Sequence, residues 1–501
     1  MFYYLMKGNL YGVDVKLSEF EDEISPIAIE LNGVNSGTNC FAYEGGFSYY
    51  KTFVRTLAAH NGGKPIFIES WQRRKRDRLE TIVEKIRLER STERQREWCQ
   101  KFSSILGVNF EFDFAWLDDL LEFHKGKLEQ EHDDSEDRYY LWASKQEKKP
   151  LFIFDEIDYS PNAVIFTLMD GRRIAMNPKE IGVIRSTSST LAEAPERFQH
   201  LFLNTPLIEQ FLDYKPFTHF LGAFNRELAV RFAPGHIYGF GVNEKKDSLE
   251  FLSMIPSDLI VRKRGGSYCG TGVEILPKQE VIESINGKTY EEISLARIQA
   301  LSMYITYAVS KGVRLEEYLT VYEAFVDSIP IFNPKTGKYH DGCARVIVYS
   351  PPNGKPITLG SQWRLAPYAI DEDASLEGRF RVNLSRGASE MEIELDHKLM
   401  IDRFAEYTVE EFEKAVSNYR REAKDAFKDV LEQEPGTKEH DVLRYLYWSL
   451  EMAHKMVAIG AVNKGSQGIT LFPGFKDEVA NVRRRDNMAF GPRLVVPDQY
   501  K

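Results

Sequence analysis

The chain has 501 residues, 65 Lys+Arg against 75 Asp+Glu, a formal net charge of −10, 43% hydrophobic and 28% charged residues. That length predicts several domains with ample apolar content for a core, and the acidic balance argues against general nucleic-acid binding. Four widely spaced cysteines (Cys40, Cys99, Cys269, Cys343) form no CxxC pair, so neither a zinc scaffold nor a disulfide framework is expected, and a reducing cytoplasm is the simplest setting.

Residues 1–45 predict a strand, a turn, a second strand and a Gly/Asn/Ser loop. The apolar N-terminus lacks a basic segment and reads as a strand rather than a signal peptide. No stretch reaches the ~20 apolar residues that span a bilayer. Residues 47–60 predict a helix stopped by Asn61-Gly62-Gly63, and residues 65–69 a buried strand. Together these suggest an α/β unit.

Residues 71–103 predict a long charged helix with apolar residues at Leu79, Ile82, Ile86 and Leu88. A solvated face with Glu–Arg pairs accounts for its charge more simply than an RNA or acidic-partner surface. Residues 125–149 read as polar with an exposed loop, and strands resume at 151–154 and 163–166. Asp155, Glu156 and Asp158 then read as a strand-to-loop turn rather than a metal site. Helices are expected near 194–204, 206–224, 291–311, 408–433 and 438–461, before a Gly/Pro/Arg-rich tail at 462–501.

The first candidate site lies near the start of the chain. Asp14 closes one expected strand, and Glu30 with Asn32 closes the next, across a turn spanning 18–25. Side chains alternate along a strand, so Glu30 and Asn32 share a face. Two carboxylates and a carboxamide oxygen, with positions left for water and phosphate, suit Mg²⁺.

The second is Leu259-Ile-Val-Arg-Lys263-Arg-Gly-Gly266-Ser267-Tyr-Cys-Gly270-Thr-Gly272-Val273. A strand ends in Lys263, and a Gly/Ser loop leads to another strand. Its amides could converge on phosphate, with Lys263 adding a point charge. It is neither a Walker loop nor a Rossmann fingerprint, and a Gly-rich hairpin turn explains it equally well.

The third is Val321-Tyr-Glu323-Ala-Phe325-Val326-Asp327, an apolar strand running into an acid. It could be a hinge whose backbone reads an adenine edge while Asp327 holds ribose hydroxyls. The fourth combines Arg364 with Arg381, Asn383 and Arg386 in a Gly-flanked stretch, and Asp341 and Arg345 bracket a strand start. Arginine forks suit carboxylate and phosphate oxygens; an exposed basic hairpin is the plain alternative.

As an ensemble these motifs resemble the ATP-grasp superfamily, most closely its carboxylate–amine ligases of the ribosomal-protein glutamate ligase and glutathione synthetase type. Lys263, then Glu323 to Asp327, then Arg345, then Arg381-Val-Asn383-Leu-Ser-Arg386-Gly387 follow the family order. The family's closing G-V-D and E-x-N elements stand instead at the start, as Gly12-Val-Asp14 and Glu30-Leu-Asn32. The resemblance covers roughly 1–45 and 205–400 and departs at Arg264, where the family has Pro, and at Cys343, where it has Asp.

The resemblance implies an α/β (α+β) chain: a circularly permuted ATP-grasp fold with a preceding α/β domain and extra helices. Residues 1–60 would be the permuted metal-binding part of the C-terminal lobe, and 61–225 an α/β substrate-side domain. Residues 226–320 would be the central lid subdomain, 321–461 the C-terminal lobe with added helices, and 462–501 a tail. It implies ATP as cofactor and Mg²⁺, with Mn²⁺ as an alternative ion, on Asp14, Glu30 and Asn32. Lys263, with Lys245 or Lys246, would meet the phosphates with Gly266, Ser267, Gly270 and Gly272. Glu323, Phe325, Val326 and Asp327 would hold the nucleoside. Arg345, Arg364, Arg381, Asn383 and Arg386 would orient the reacting groups. The implied partners are a carboxylate and an amine, on an amino acid or peptide, with no membrane and no nucleic acid. A nucleotide-binding scaffold without turnover, and a phosphotransferase, are the alternatives.

Overall fold

The computed structural model describes residues 7–20, 23–33, 47–70, 136–205, 208–209, 212, 215–222, 224–239, 244–264, 273–289, 292–293, 320–382 and 388–431. Within them the chain is a mixed α/β protein with several sheets. Elements are β1 (Asn9–Phe20), β2 (Glu23–Asn32), α1 (Phe47–His60), β3 (Ile66–Glu69), α2 (Glu136–Glu147), β4 (Leu151–Tyr159), β5 (Val164–Leu168), β6 (Arg173–Met176) and β7 (Val183–Arg185). Then come α3 (Ser188–Glu193), α4 (Glu196–Gln199), α5 (Pro216–Gly222), α6 (Arg226–Ala229), β8 (Gly235–Ile237), α7 (Glu244–Met254), β9 (Leu259–Arg264), β10 (Val273–Pro277), α8 (Lys278–Gly287) and β11 (Thr320–Ala324). The last are β12 (Ile331–Asn333), β13 (Lys338–His340), β14 (Gly342–Ser350), β15 (Ile357–Leu365), α9 (Leu376–Phe380), β16 (Ser389–Met391) and α10 (Leu395–Leu431).

The central sheet has the order β16-β15-β14-β1-β2 and is antiparallel throughout. The Gly12-Val-Asp14 strand pairs with β14, as a permuted chain requires, with Val13 opposite Val346 and Asp14 opposite Arg345. Period-2 alternation gives this sheet one apolar face, carrying Val13, Val15, Ala344, Val346 and Trp363. Helix α10 covers it with Ile401, Ala405, Val409, Phe412 and Val416, an apolar stripe at helical spacing. The opposite face is divided. Leu10, Ile347, Tyr349 and Leu359 pack with Tyr50, Phe53 and Leu57 of α1. The remaining half carries the charged residues of the site.

A second sheet, β6-β5-β4-β3-β7, places β3 parallel to both β4 and β7. All four β3 residues are buried. Its faces pack into separate clusters, one with α1 and α2 and one with Leu191, Ala194 and Phe198, the two-sided cover that parallel strands require. A third sheet, β10-β9-β11-β8, is antiparallel. Ile260 and Tyr322 on one of its faces pack with Phe251 and Leu252 of α7 and Val281 and Ile285 of α8.

The structure corrects several sequence expectations. Asp14 lies within β1 rather than at its end, and residues 18–25 are paired up to Phe20 opposite Glu23; the buried alternation of Val15 and Leu17 carries the strand onward. Residues 136–147, expected in an exposed polar stretch, form α2, anchored by buried Glu136, Asp137, Tyr140 and Ala143 at helical spacing. Asp155, Glu156 and Asp158 lie inside β4 rather than in a turn beyond it. Of the helix expected at 194–204 only the short α4 forms; Pro195 at its start has an extended ψ of 138° and parts it from α3, which ends at Glu193 before the expected range. Helix α5 and helical residues 208–209 and 212 fall in the expected 206–224 segment. The expectations for 1–6, 71–103, 294–311, 438–461 and 462–501 lie outside the described residues.

Candidate functional site

Opposed residues in an antiparallel pair point to one face. Asp14 is opposite Glu30 on one side and Arg345 on the other, while Gly12 is opposite Asn32. Arg345 is opposite Gln362, and Arg364 is opposite both Cys343 and Glu390. The half-face not covered by α1 is therefore a belt of ionic and amide groups crossing the sheet.

Asp14 is the most tightly held. Arg345 Nε donates to its Oδ1 at 2.5 Å and Arg345 Nη2 to its Oδ2 at 2.7 Å, while Asn32 Nδ2 donates to Oδ2 at 3.3 Å. Burial pushes the Asp14 carboxyl up, but the charge and hydrogen bonds of Arg345, with Arg364 and Asn32, outweigh it and hold it below its ordinary value.

The register of β1 against β2 shifts between Asp14 and Val15, so that Asp14 pairs with Glu30 but Val15 with Ala28. Ile29 is the extra residue of a β-bulge, and bulges leave backbone groups outside the ladder. Its carbonyl accepts from Lys263 Nζ at 2.6 Å. Lys263 lies on the β9 face away from α7 and α8, opposite Val321. It also forms an ion pair with Glu323 at 2.6 Å. Thus the third sheet reaches the central one through this ammonium, beside the Asp14–Glu30 pair.

Glu323 is buried and held from both sides, by Lys263 and by the His219 ring at 2.8 Å. Burial raises its pKa, but Lys263 and then His219 bring it below its ordinary value. Lys263 is pushed down by burial, yet Glu323 and Glu30 hold it above its ordinary value. The His219 ring is clamped from behind, because a Cβ on Gly235 would lie 2.5 Å from its Cε1. Gly235→Ala is therefore expected to cost about 1–3 kcal/mol by overpacking, measured as a lower midpoint in urea unfolding.

A second buried pair lies on the same face. Lys16 Nζ meets Asp341 at 2.7 Å, donates to the Val326 carbonyl at 3.3 Å, and sits 5.3 Å from the Phe325 ring centroid. Ser328 Oγ also donates to Asp341. Burial raises the Asp341 carboxyl above its ordinary value despite Lys16.

The structure brings Asp14, Glu30, Asn32, Arg345 and Arg364 to one face of the central sheet, where Lys263 and Glu323 of the third sheet meet it. Arg381 reaches it from beyond α9, its guanidinium donating to the Val273 carbonyl on β10. Phe325 stands edge-on to Phe380 at 5.2 Å, Val326 is buried, and Asp327 is exposed. Two backbone groups of this expected hinge are engaged within the protein, the Val326 carbonyl by Lys16 and the Ala324 N–H by Pro234. Lys245 and Lys246 are not brought to Lys263. They lie on α7, behind the opposite face of the third sheet, where Lys245 Nζ donates to the Asn286 carbonyl. Both line an open cavity of about 630 Å³ with Leu249, Glu250 and Ser253. Gly266, Ser267, Gly270, Gly272, Asn383 and Arg386 lie outside the described residues.

Sequence reasoning missed Lys16 and His219. Lys16 was open to discovery, since it lies two positions from Asp14 on the same strand. His219 reaches Glu323 from α5, through long-range packing that no local pattern announces.

The carboxyls set an acid limit. Asp14 and Glu323 are depressed below ordinary values of 3.8 and 4.5. Each contributes stability that is present above its unfolded value and lost as pH falls through its lower folded value. Asp341 acts oppositely: raised above 3.8, its contribution is full below that value and lost as pH rises through its folded pKa. The expected net result is a thermal midpoint that falls as pH drops below about 4, followed by circular dichroism. In Arg345→Met this acid loss should be smaller, because Asp14 loses the partner that depresses it.

The site holds hard oxygen donors of the kind Mg²⁺ takes, in Asp14, Glu30 and the Asn32 amide. Among the described residues no group of three His, Cys, Asp or Glu is placed to hold a metal ion. Glu30 and the Asn32 oxygen fit such an ion; at Asp14 a cation would have to compete with Arg345. Among the described residues no helix is long and apolar enough to cross a membrane.

No protein-family model and no curated protein matches the sequence. Among solved structures, the chain is similar to one from Methylobacillus flagellatus KT, of a protein proposed to be a gamma-glutamylcysteine synthetase. The identity is 8% and the TM-score 0.36, over 83% of this chain and 90% of that one. A likeness at that level carries no argument about activity, so the functional reading rests on the arrangement of these side chains.

Proposed function

We propose that the chain is an ATP-dependent ligase joining a carboxylate to an amine, on a circularly permuted ATP-grasp fold. One observation carries the reading. Lys263 Nζ, on the third sheet, lies 2.6 Å from the carbonyl of Ile29, beside the Asp14–Glu30 pair of a strand pair far away in sequence. A phosphate-facing ammonium opposite a hard-oxygen metal set is what nucleotide phosphates require. The place of β1 and β2, early in the chain yet in one sheet with β14, to which β1 is paired, supports the permutation.

On this reading Lys263 meets phosphate oxygens, and Arg345, Arg364 and Arg381 orient the transferring group. The substrate carboxylate oxygen bonds to the γ-phosphorus as its bond to the ADP oxygen breaks, and ADP leaves with that electron pair. The amine then adds to the acyl carbon, phosphate departs, and a proton is lost to solvent. No protein nucleophile is needed. Mg²⁺ at Glu30, Asn32 and Asp14 would supply charge neutralisation on the phosphates.

The test is ADP and phosphate release from ATP across paired amino acids and short peptides. Release that needs both an acid and an amine supports the ligase. Phosphate transfer to one substrate alone would make it a phosphotransferase. A nucleotide-binding protein without turnover is the second reading, favoured by the engagement of both Asp14 oxygens with Arg345; binding of ATP without ADP release across the whole screen would establish it.

A further inference from the structure

One cross-strand row runs over the site face of the central sheet: Glu30 is opposite Asp14, Asp14 opposite Arg345, and Arg345 opposite Gln362. Its ends are three strand spacings apart, roughly 14 Å. The Glu30 end lies beside Lys263. The Gln362 end lies toward the sheet edge, where Arg364 of β15 is opposite Glu390 of β16. Gln362 is 0% exposed, and its Nε2 donates to Glu390 Oε1 at 2.9 Å. That bond fixes the amide's orientation, because an ionised carboxylate only accepts and must face the NH₂ end. The other end, Gln362 Oε1, is buried and accepts no hydrogen bond among the described residues. Buried acceptors without a donor are rare and costly, and one on the face that carries the charged groups points to a ligand that donates.

We propose that Gln362 Oε1 and the Glu390 carboxylate form a subsite for a primary ammonium group on the carboxylate-bearing substrate, an inference that deepens the ligase reading and rests on it. An ammonium has three donors and no acceptor. One meets Oε1, and a second meets Glu390 with the added strength of opposite charge. A ligand hydroxyl or amide would satisfy Oε1 but would gain little from the Glu390 charge. Glu390 is half-buried, so a ligand reaches the pair from the rim. Arg364 stands directly opposite Glu390, and opposed side chains lie about 5 Å apart, a span that an amino acid's ammonium and carboxylate bridge. Its carboxylate then lies at Arg364, on the way along the row toward Lys263 and Glu30. Arg345, between the two ends, is matched by Asp14. The plainer role is a strand-spacing amide whose oxygen meets an internal water, and it predicts a different outcome.

Titration calorimetry on the full chain, with and without Mg²⁺ and ADP, separates the two. The probes are the common L-amino acids and, for each that binds, its N-acetyl and des-amino analogues. The analogues should bind about tenfold or more weakly, the scale of one charged hydrogen bond. Gln362→Met keeps the side chain's length and removes the acceptor. It should lower amino-acid affinity about fivefold or more, while the affinities of the analogues and of ATP change by less than about twofold. Thermal midpoints establish that the variant is folded, and Gln362→Leu replaces it if it is not. Analogues that bind as well as the amino acid, equal losses for both in the variant, or no amino acid bound under either condition would overturn the inference; ATP binding by the same chain would leave the nucleotide site standing. Gln362-dependent binding of an amino acid by a chain that binds no ATP would overturn the ligase reading and keep the subsite.

Discussion

Glu30→Gln is expected to keep the fold and to lower turnover by roughly 10²-fold or more, the scale of removing one preorganised charge-stabilising group. The change preserves volume at a half-buried position opposite Asp14. It removes the one carboxylate of the Asp14, Glu30 and Asn32 set to which no described residue donates a hydrogen bond. Asp14 is already matched by Arg345, so the burden of attracting a divalent ion falls on Glu30. The measurements are ADP release against Mg²⁺ concentration and a thermal melt. Unchanged release at ordinary Mg²⁺ would remove Glu30 from the metal assignment. A collapse of the melt would show instead that Glu30 holds the sheet together.

Lys16→Met should be among the most destabilising single changes in the central sheet, costing about 3–5 kcal/mol at neutral pH. It leaves the Asp341 carboxylate 2% exposed with only Ser328 as a hydrogen-bond donor among the described residues. The cost has a direction in pH. Without Lys16 the Asp341 carboxyl is raised further, so the variant should regain stability as pH falls and Asp341 takes up a proton. The double variant Lys16→Met with Asp341→Asn should recover most of the loss, since no buried charge remains. Urea unfolding at neutral and acid pH on the three proteins measures this. Equal losses in the single and double variants would mean that Lys16 acts through the Val326 carbonyl and Phe325 ring instead.

The facing of Asp14, Glu30 and Asn32 was legible because period-2 alternation is a local rule, and the part of α10 from 408 on because its apolar residues keep a helical period, whereas its start at Leu395 was not. Helix α1 and its stop at Asn61-Gly62-Gly63 were legible for similar reasons. Pairing of distant elements was legible only through the family order of motifs, as with β1 beside β14. Partnership was not legible at all. Nothing local says that Arg345 takes Asp14, that Lys16 takes Asp341, or that Glu323 stands between Lys263 and His219. Helix α2 was missed because composition averages over faces: most of its residues are polar, and four buried ones secure it.

The bulge at Ile29 has a consequence for sidedness. Before it, Ala28 faces α10 and Ile27 stands opposite Lys16; after it, Glu30 stands opposite Asp14. Even-numbered side chains thus change faces along one strand, as if its reading frame had slipped by one. A regular ladder from Val15–Ala28 to Asp14–Glu30 would need one residue fewer, and would keep the acids aligned while removing the carbonyl that Lys263 grips. The alignment of the acids and the grip between the sheets are therefore separable by length alone: the first follows from pairing, the second from a single inserted residue.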